Sequence, residues 1–179
     1  MAINAYGIQD VEYAPVSADG LLPTTGWKKL GVIADDAVTL TIPAVATTDI
    51  RAQNVPGVYV QLPGDTDPVE LGVTGAEIAG SVWAELSGGT WTEATKTFAA
   101  PVQDTLKNFA WRITTKPLDG KQMQFYIAKG VTIFNPTFTF VRNDIVKATF
   151  TARSLTPTNA SGAAQSPWGF KVIDEVPAA

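Results

Sequence analysis

Apolar and polar positions alternate in several windows of the chain, and each such window predicts a strand. Val38, Leu40 and Ile42 share one parity while Thr39 and Thr41 share the other; Val58, Val60 and Leu62 repeat the pattern around Tyr59 and Gln61. A period of two sends successive side chains to opposite faces, so both windows read as strands with one buried face. The pattern is strongest from Phe109, where Phe109, Trp111 and Ile113 alternate with Ala110, Arg112 and Thr114. Asp119-Gly120 then offers a turn, and Met123, Phe125 and Ile127 alternate with Gln122, Gln124 and Tyr126, which predicts a β-hairpin. A second hairpin is expected from Phe138 and Phe140, set among Thr137, Thr139 and Val141, through a turn at Arg142, Asn143 and Asp144. Its return strand places Ile145, Lys147, Thr149 and Thr151 opposite Val146, Ala148, Phe150 and Ala152, and Pro136 ahead of it fits an edge, a bulge or a strand start.

One window has helical spacing instead. Thr74 with Glu77 three residues on has the form of a capping box, and Ile78, Val82 and Leu86 follow at helical intervals beside Ala79 and Trp83. Gly88-Gly89 is the expected stop. Gly75 and Gly80 oppose this helix by about 1 kcal/mol each relative to Ala.

Three segments have no period. Residues 15–26, with Pro15, Asp19, Gly20, Pro23 and Gly26, read as a loop. Residues 43–57 are small and polar, and a connection of that length is uncommon in a compact domain unless it acts on something outside it. The segment from Thr156 onward is rich in small polar residues, yet Trp168, Phe170, Val172 and Ile173 near its end are costly to leave in water. It reads as an arm that docks on its own core or on a neighbour. With no internal repeat, the chain divides into a β domain over residues 1–157 and a C-terminal arm over 158–179.

Composition narrows the function. Charged residues make up 17% of the 179 residues, below the roughly 25% of average soluble proteins, so something other than solvent is expected to cover part of the surface. There is no Cys and no His. This removes disulfides, zinc-thiolate sites, thiol nucleophiles and Ser-His or Cys-His dyads. The net charge of −4 and the single adjacent basic pair, Lys28-Lys29, argue against binding nucleic-acid phosphates. Residues Met1 to Tyr6 have neither the basic nor the apolar region of a secretory signal. No apolar run approaches the roughly 20 residues of a membrane-spanning helix.

Candidate chemistry is sparse. Gly64-Asp65-Thr66-Asp67-Pro68 could offer oxygens to Ca²⁺, but the EF-hand pattern does not continue, and a hairpin turn decorated with acids is favoured. Asp35-Asp36 reads as a solvated turn before the Val38 strand. Glu70, Glu77, Glu85 and Glu93 are candidates for paired-carboxylate glycoside hydrolysis, with nothing to place any two at the required separation. Trp27, Trp83, Trp91, Trp111 and Trp168 could form a sugar-stacking platform or fill a core, and Trp111, in line with Phe109 and Ile113, is assigned to the core. No catalytic, cofactor-binding or metal-binding residue is assigned, and the chain is not expected to be an enzyme.

The order of elements, with a helix, the Gly88-Gly89 stop, Trp91, Pro101, hairpins through Asp119-Gly120 and Asn143-Asp144, and a return strand ending at Arg153-Ser154-Leu155-Thr156-Pro157, resembles the tail tube proteins (major tail proteins) of long-tailed bacteriophages over about residues 26–157. The resemblance implies a mainly β fold of two packed antiparallel sheets, a sandwich or partial barrel, with one flanking helix. It implies a homo-oligomer: hexameric rings stacked into the hollow tube of a virion tail, with tape measure, terminator and baseplate proteins as further partners. DNA would pass through the lumen without specific binding, and no membrane or cofactor is implied. The 43–57 segment would correspond to a loop reaching a neighbour, which makes Thr48, Asp49, Arg51, Gln53 and Asn54 candidate inter-subunit or inter-ring contacts, with Trp168 and Phe170 in the terminal arm. The alternative is a virion decoration or carbohydrate-binding β-sandwich module.

Overall fold

A computed structural model of the chain describes residues 6–103, 106–133 and 147–174. In chain order these form β1 (Tyr6–Pro15), β2 (Lys28–Lys29), β3 (Val32–Thr41), β4 (Thr47–Ile50), β5 (Val60–Pro63), β6 (Glu70–Glu77), α1 (Gly80–Ser87), β7 (Thr90–Thr92), β8 (Thr97–Ala99), β9 (Lys107–Lys116), β10 (Lys121–Ile133), β11 (Ala148–Ser154) and β12 (Trp168–Asp174). The fold is mainly β, antiparallel and sandwich-like, with one short helix and a sheet curled into a half-barrel.

The main sheet runs β2-β1-β9-β10-β11-β6-β3 and forks at β10. Its first half, Lys121 to Ile127, pairs with β12, while Gly130 to Ile133 pair with β11. A break in the β9–β10 register between Ile127 and Gly130 marks the fork. Such a bulge bends a strand and increases its twist, which suits a sheet that must curl. The β9–β10 hairpin is the one predicted around Asp119-Gly120: both residues have positive φ, 51° and 71°, the backbone that a type I′ turn requires and that glycine and Asp tolerate.

Curling brings one face of β1, β6, β9, β10 and β11 together. Tyr13, Leu71, Trp111, Ile127 and Phe150 are fully buried there, with Trp111 between Tyr13 and Phe150 at ring-centroid distances of 5.7 and 5.4 Å. Each such side chain contributes about 1.5–3 kcal/mol by leaving water. The opposite face of the β9–β10 hairpin is polar yet also covered: Gln124 Nε2 donates to Thr114 Oγ1 at 3.1 Å, and Gln122 Nε2 donates to Gln9 Oε1 and to the Thr115 carbonyl. These bonds offset the cost of burying the two amide nitrogens, while Gln124 Oε1 is buried without a hydrogen-bond partner.

The capping box at Thr74 and Glu77 is not formed. Both residues belong to β6, which is paired on both sides by β3 and β11, and Thr74 Oγ1 lies 2.9 Å from Thr149 Oγ1 across the ladder. A strand already held from both sides outweighs a local capping preference. The helix begins instead at Gly80, with Ala79 as a cap that offers no side-chain hydrogen bond, and stops as expected at Gly88, whose φ is 81°. Gly80 is required by packing: a Cβ there would lie 2.2 Å from the Trp91 ring, so its absence lets α1 lie flat on the β7–β8 hairpin.

Other expectations shift in detail. Val38 and Leu40 pack against the core, but Ile42 lies beyond β3 and is exposed. Asp35-Asp36 sits inside β3, at a register shift between Ile33 and Val38, not in a turn ahead of it. Residues 64–69 connect β5 to β6, which pair with different partners, so the Asp65/Asp67 loop is no hairpin turn. The C-terminal arm docks on its own body, with Trp168 to Asp174 laid along β10. Of the second predicted hairpin, Pro136, the outgoing strand at Phe138 and Phe140, the turn, and Ile145 and Val146 lie outside the described residues, and the return strand is seen from Ala148 onward as β11.

Candidate assembly surface

Between β3 and β6 the chain leaves the body as a ribbon. Thr47 to Ile50 and Val60 to Pro63 pair with each other and, among the described residues, with no other strand. The ribbon is held by its own backbone: Gly64 N–H donates to the Ala46 carbonyl at 2.8 Å, and Tyr59 N–H donates to Ile50 at 2.8 Å. Its register pairs Thr48 with Leu62 and Ile50 with Val60, so these four share one face, while Asp49 and Gln61 share the other. The result is an amphipathic two-stranded arm whose apolar face meets no layer among the described residues. Leu62 is 46% exposed and Ile50 is 42% exposed. The buried face expected for Val58, Val60 and Leu62 is thus left open among the described residues, where no third strand or helix reaches it. A two-stranded hairpin without a covering layer is marginal in water.

The sequence candidates fall in two places that the fold does not bring together. Thr48 and Asp49 lie in β4, and Arg51, Gln53 and Asn54 lie in the exposed segment between β4 and β5. Trp168 and Phe170 lie in β12. Trp168 packs against the core, while Phe170, stacked at 5.9 Å on Phe125, remains 52% exposed beside exposed Val172. Val60 was legible only as a member of a strand and Ile50 only as part of the period-free 43–57 segment; what singles them out is the missing cover among the described residues.

The remaining candidates are engaged internally. Glu85 of α1 accepts from Tyr13 Oη at 2.8 Å and from Lys28 Nζ at 2.7 Å, tying the helix to β1 and β2. Burial pushes the Glu85 carboxyl up, but Lys28, Tyr13 and Lys107 outweigh it and hold it below the ordinary glutamate value. Burial, aided by the bond to Glu85, raises the Tyr13 phenol. Glu70 pairs with Arg153 at 2.9 Å and Glu93 with Lys96, while Glu77 ends β6. Arg112 pairs with Glu12 and lies 4.3 Å over the Trp27 ring. Trp91 covers Gly80, Trp83 meets Phe98 at 6.3 Å, and Trp111 is in the core, as predicted. Among the described residues no three acidic side chains converge on a metal site, and no helix is long and apolar enough to cross a membrane.

No protein-family model matches the chain, and no curated protein matches it.

Proposed function

We propose that this chain is a structural subunit that assembles with copies of itself into stacked rings, forming the hollow tail tube of a long-tailed phage. The observation that carries this reading is the amphipathic arm from Thr47 to Pro63, whose apolar face is uncovered among the described residues. A contiguous apolar surface on a soluble chain marks an interaction site. Two further features support it. Among the described residues the half-barrel ends in β3, a ten-residue strand paired on one side only; continuing the sheet into a neighbour is one way to remove such an edge. The low charge content fits a surface of which much becomes interface. In such a tube a net charge of −4 per chain leaves phosphate counterions in place, so DNA slides past without being gripped. Tape measure, terminator and baseplate proteins would meet the tube at its lumen and ends.

Negative-stain microscopy and sedimentation of the purified chain over a wide concentration range test the reading. Rings or tubes of uniform width are expected as concentration rises. A monodisperse monomer at all concentrations overturns it.

A further inference from the structure

The arm needs a receptor, and a second uncovered apolar surface lies on the same chain. On β12, Phe170 and Val172 stand directly across from Phe125 and Met123 of β10, so all four point to one face. That face is continuous with the core, since Phe125 lies across from Ile113 on β9 and packs against the buried cluster. β12 pairs only with β10, so its far edge is free and nothing in the described chain lies beyond it. We infer that the apolar face of the arm of one copy, Ile50, Val60 and Leu62, seats on the Phe125–Phe170–Val172 face of the next copy.

Three observations favour a second copy as the occupant. The arm and the β12 face are unlike surfaces of one chain, each apolar and each uncovered. Matching a patch to a different patch is heterologous association, which propagates head to tail into rings or filaments, whereas an arm-to-arm contact would stop at a dimer. The two segments also differ in net charge: on the arm and at its root Asp49, Asp65 and Asp67 outnumber Arg51, whereas Lys129 and Lys171 flank β12, and none of these six makes an ion pair among the described residues. Finally, the stretch from Thr47 to Pro63 approaches the roughly 20–30 residues a side of a standard interface. This inference rests on the self-assembly reading and goes beyond it by naming the receptor.

The chain has no cysteine, so introduced thiols report on one contact only. Leu62→Cys and Phe170→Cys are made in separate chains; both positions are exposed, so neither change disturbs the core. The variants are mixed under the conditions in which the unmodified chain assembles, then oxidised mildly and run on a non-reducing gel. A mixed disulfide is expected to form on the order of tenfold faster than in either variant alone, because only Cα atoms within about 7 Å bridge readily. Fastest cross-linking of Leu62→Cys to itself would mean arm-to-arm pairing and overturn the inference. Rings or tubes without the mixed disulfide would overturn the receptor alone and leave the assembly reading standing. Failure of the unmodified chain to assemble would overturn both.

Discussion

The β9–β10 and β4–β5 ribbons are both antiparallel, both built of alternating residues and both closed by a local connection, yet they meet opposite fates. Around the first, β1 lies on one side and β11 and β12 on the other, and Trp111 and Ile127 are buried against Phe150 and Tyr13. Around the second, no strand is added among the described residues, and Ile50, Val60 and Leu62 keep their apolar face exposed. The difference is not in the pattern but in what surrounds it. A hairpin is stabilised by the layer placed on it, and the arm has a face without a layer. The first ribbon therefore holds the chain together, and the second is available to hold chains to each other.

The sharpest way to break this comparison is to injure each ribbon in turn. Trp111→Ala should cost about 3–5 kcal/mol of unfolding free energy, since it leaves a cavity between Tyr13 and Phe150. Chemical denaturation of the monomer measures this, and a loss under 1 kcal/mol would mean that the β9 core is not the centre of stability. Val60→Glu in the arm should change that same monomer stability by no more than about 0.5 kcal/mol, as for a surface position. It should nevertheless abolish rings and tubes in negative stain, because a carboxylate would be buried at the contact. If it unfolded the monomer instead, the arm would be part of the core.

Smaller changes sharpen the contrast. Glu85→Gln removes the ion pair that fastens α1 to β2, and should cost about 1 kcal/mol at neutral pH, discounted because this pair is partly exposed. The pH dependence has a definite sign. Because the folded Glu85 carboxyl is held below its ordinary value, its contribution is present above the unfolded pKa and is lost as pH falls through the folded one. Unfolding curves of Glu85→Gln and the parent should therefore converge in acid; a gap that persists or widens there would assign the effect to packing. Gly120→Ala should cost about 1 kcal/mol, because the turn holds that residue at a φ of 71°. The cost should appear in the unfolding of the body and leave arm-mediated assembly unchanged, which light scattering on the variant would check.

Much of the body was readable in advance because its elements are set by local periodicity. The alternation from Phe109 to Ile127 around Asp119-Gly120 is a hairpin, and Gly88 ends the helix. Residues whose role depends on distant neighbours were not readable. Thr74 and Glu77 have capping-box spacing but are claimed by β3 and β11, which arrive from either side in the fold. Thr48 and Asp49, singled out as loop contacts, are strand residues, and the apolar half of the same ribbon, Val58 to Leu62, was assigned a buried face. Both halves make sense only once the register pairs Ile50 with Val60.

Taken by itself, the sequence determined the mainly β character, the docking of a terminal arm at Trp168, the core role of Trp111 and the absence of imidazole and thiol chemistry. These follow from side-chain type and period, which act within a few residues. Only the tertiary structure decided which alternating segments acquire a covering layer, that β10 serves both β11 and β12, and that the ribbon from Thr47 to Pro63 stands clear of the body. Burial is a property of what lies opposite a face, and what lies opposite is set by pairings between residues far apart in the chain.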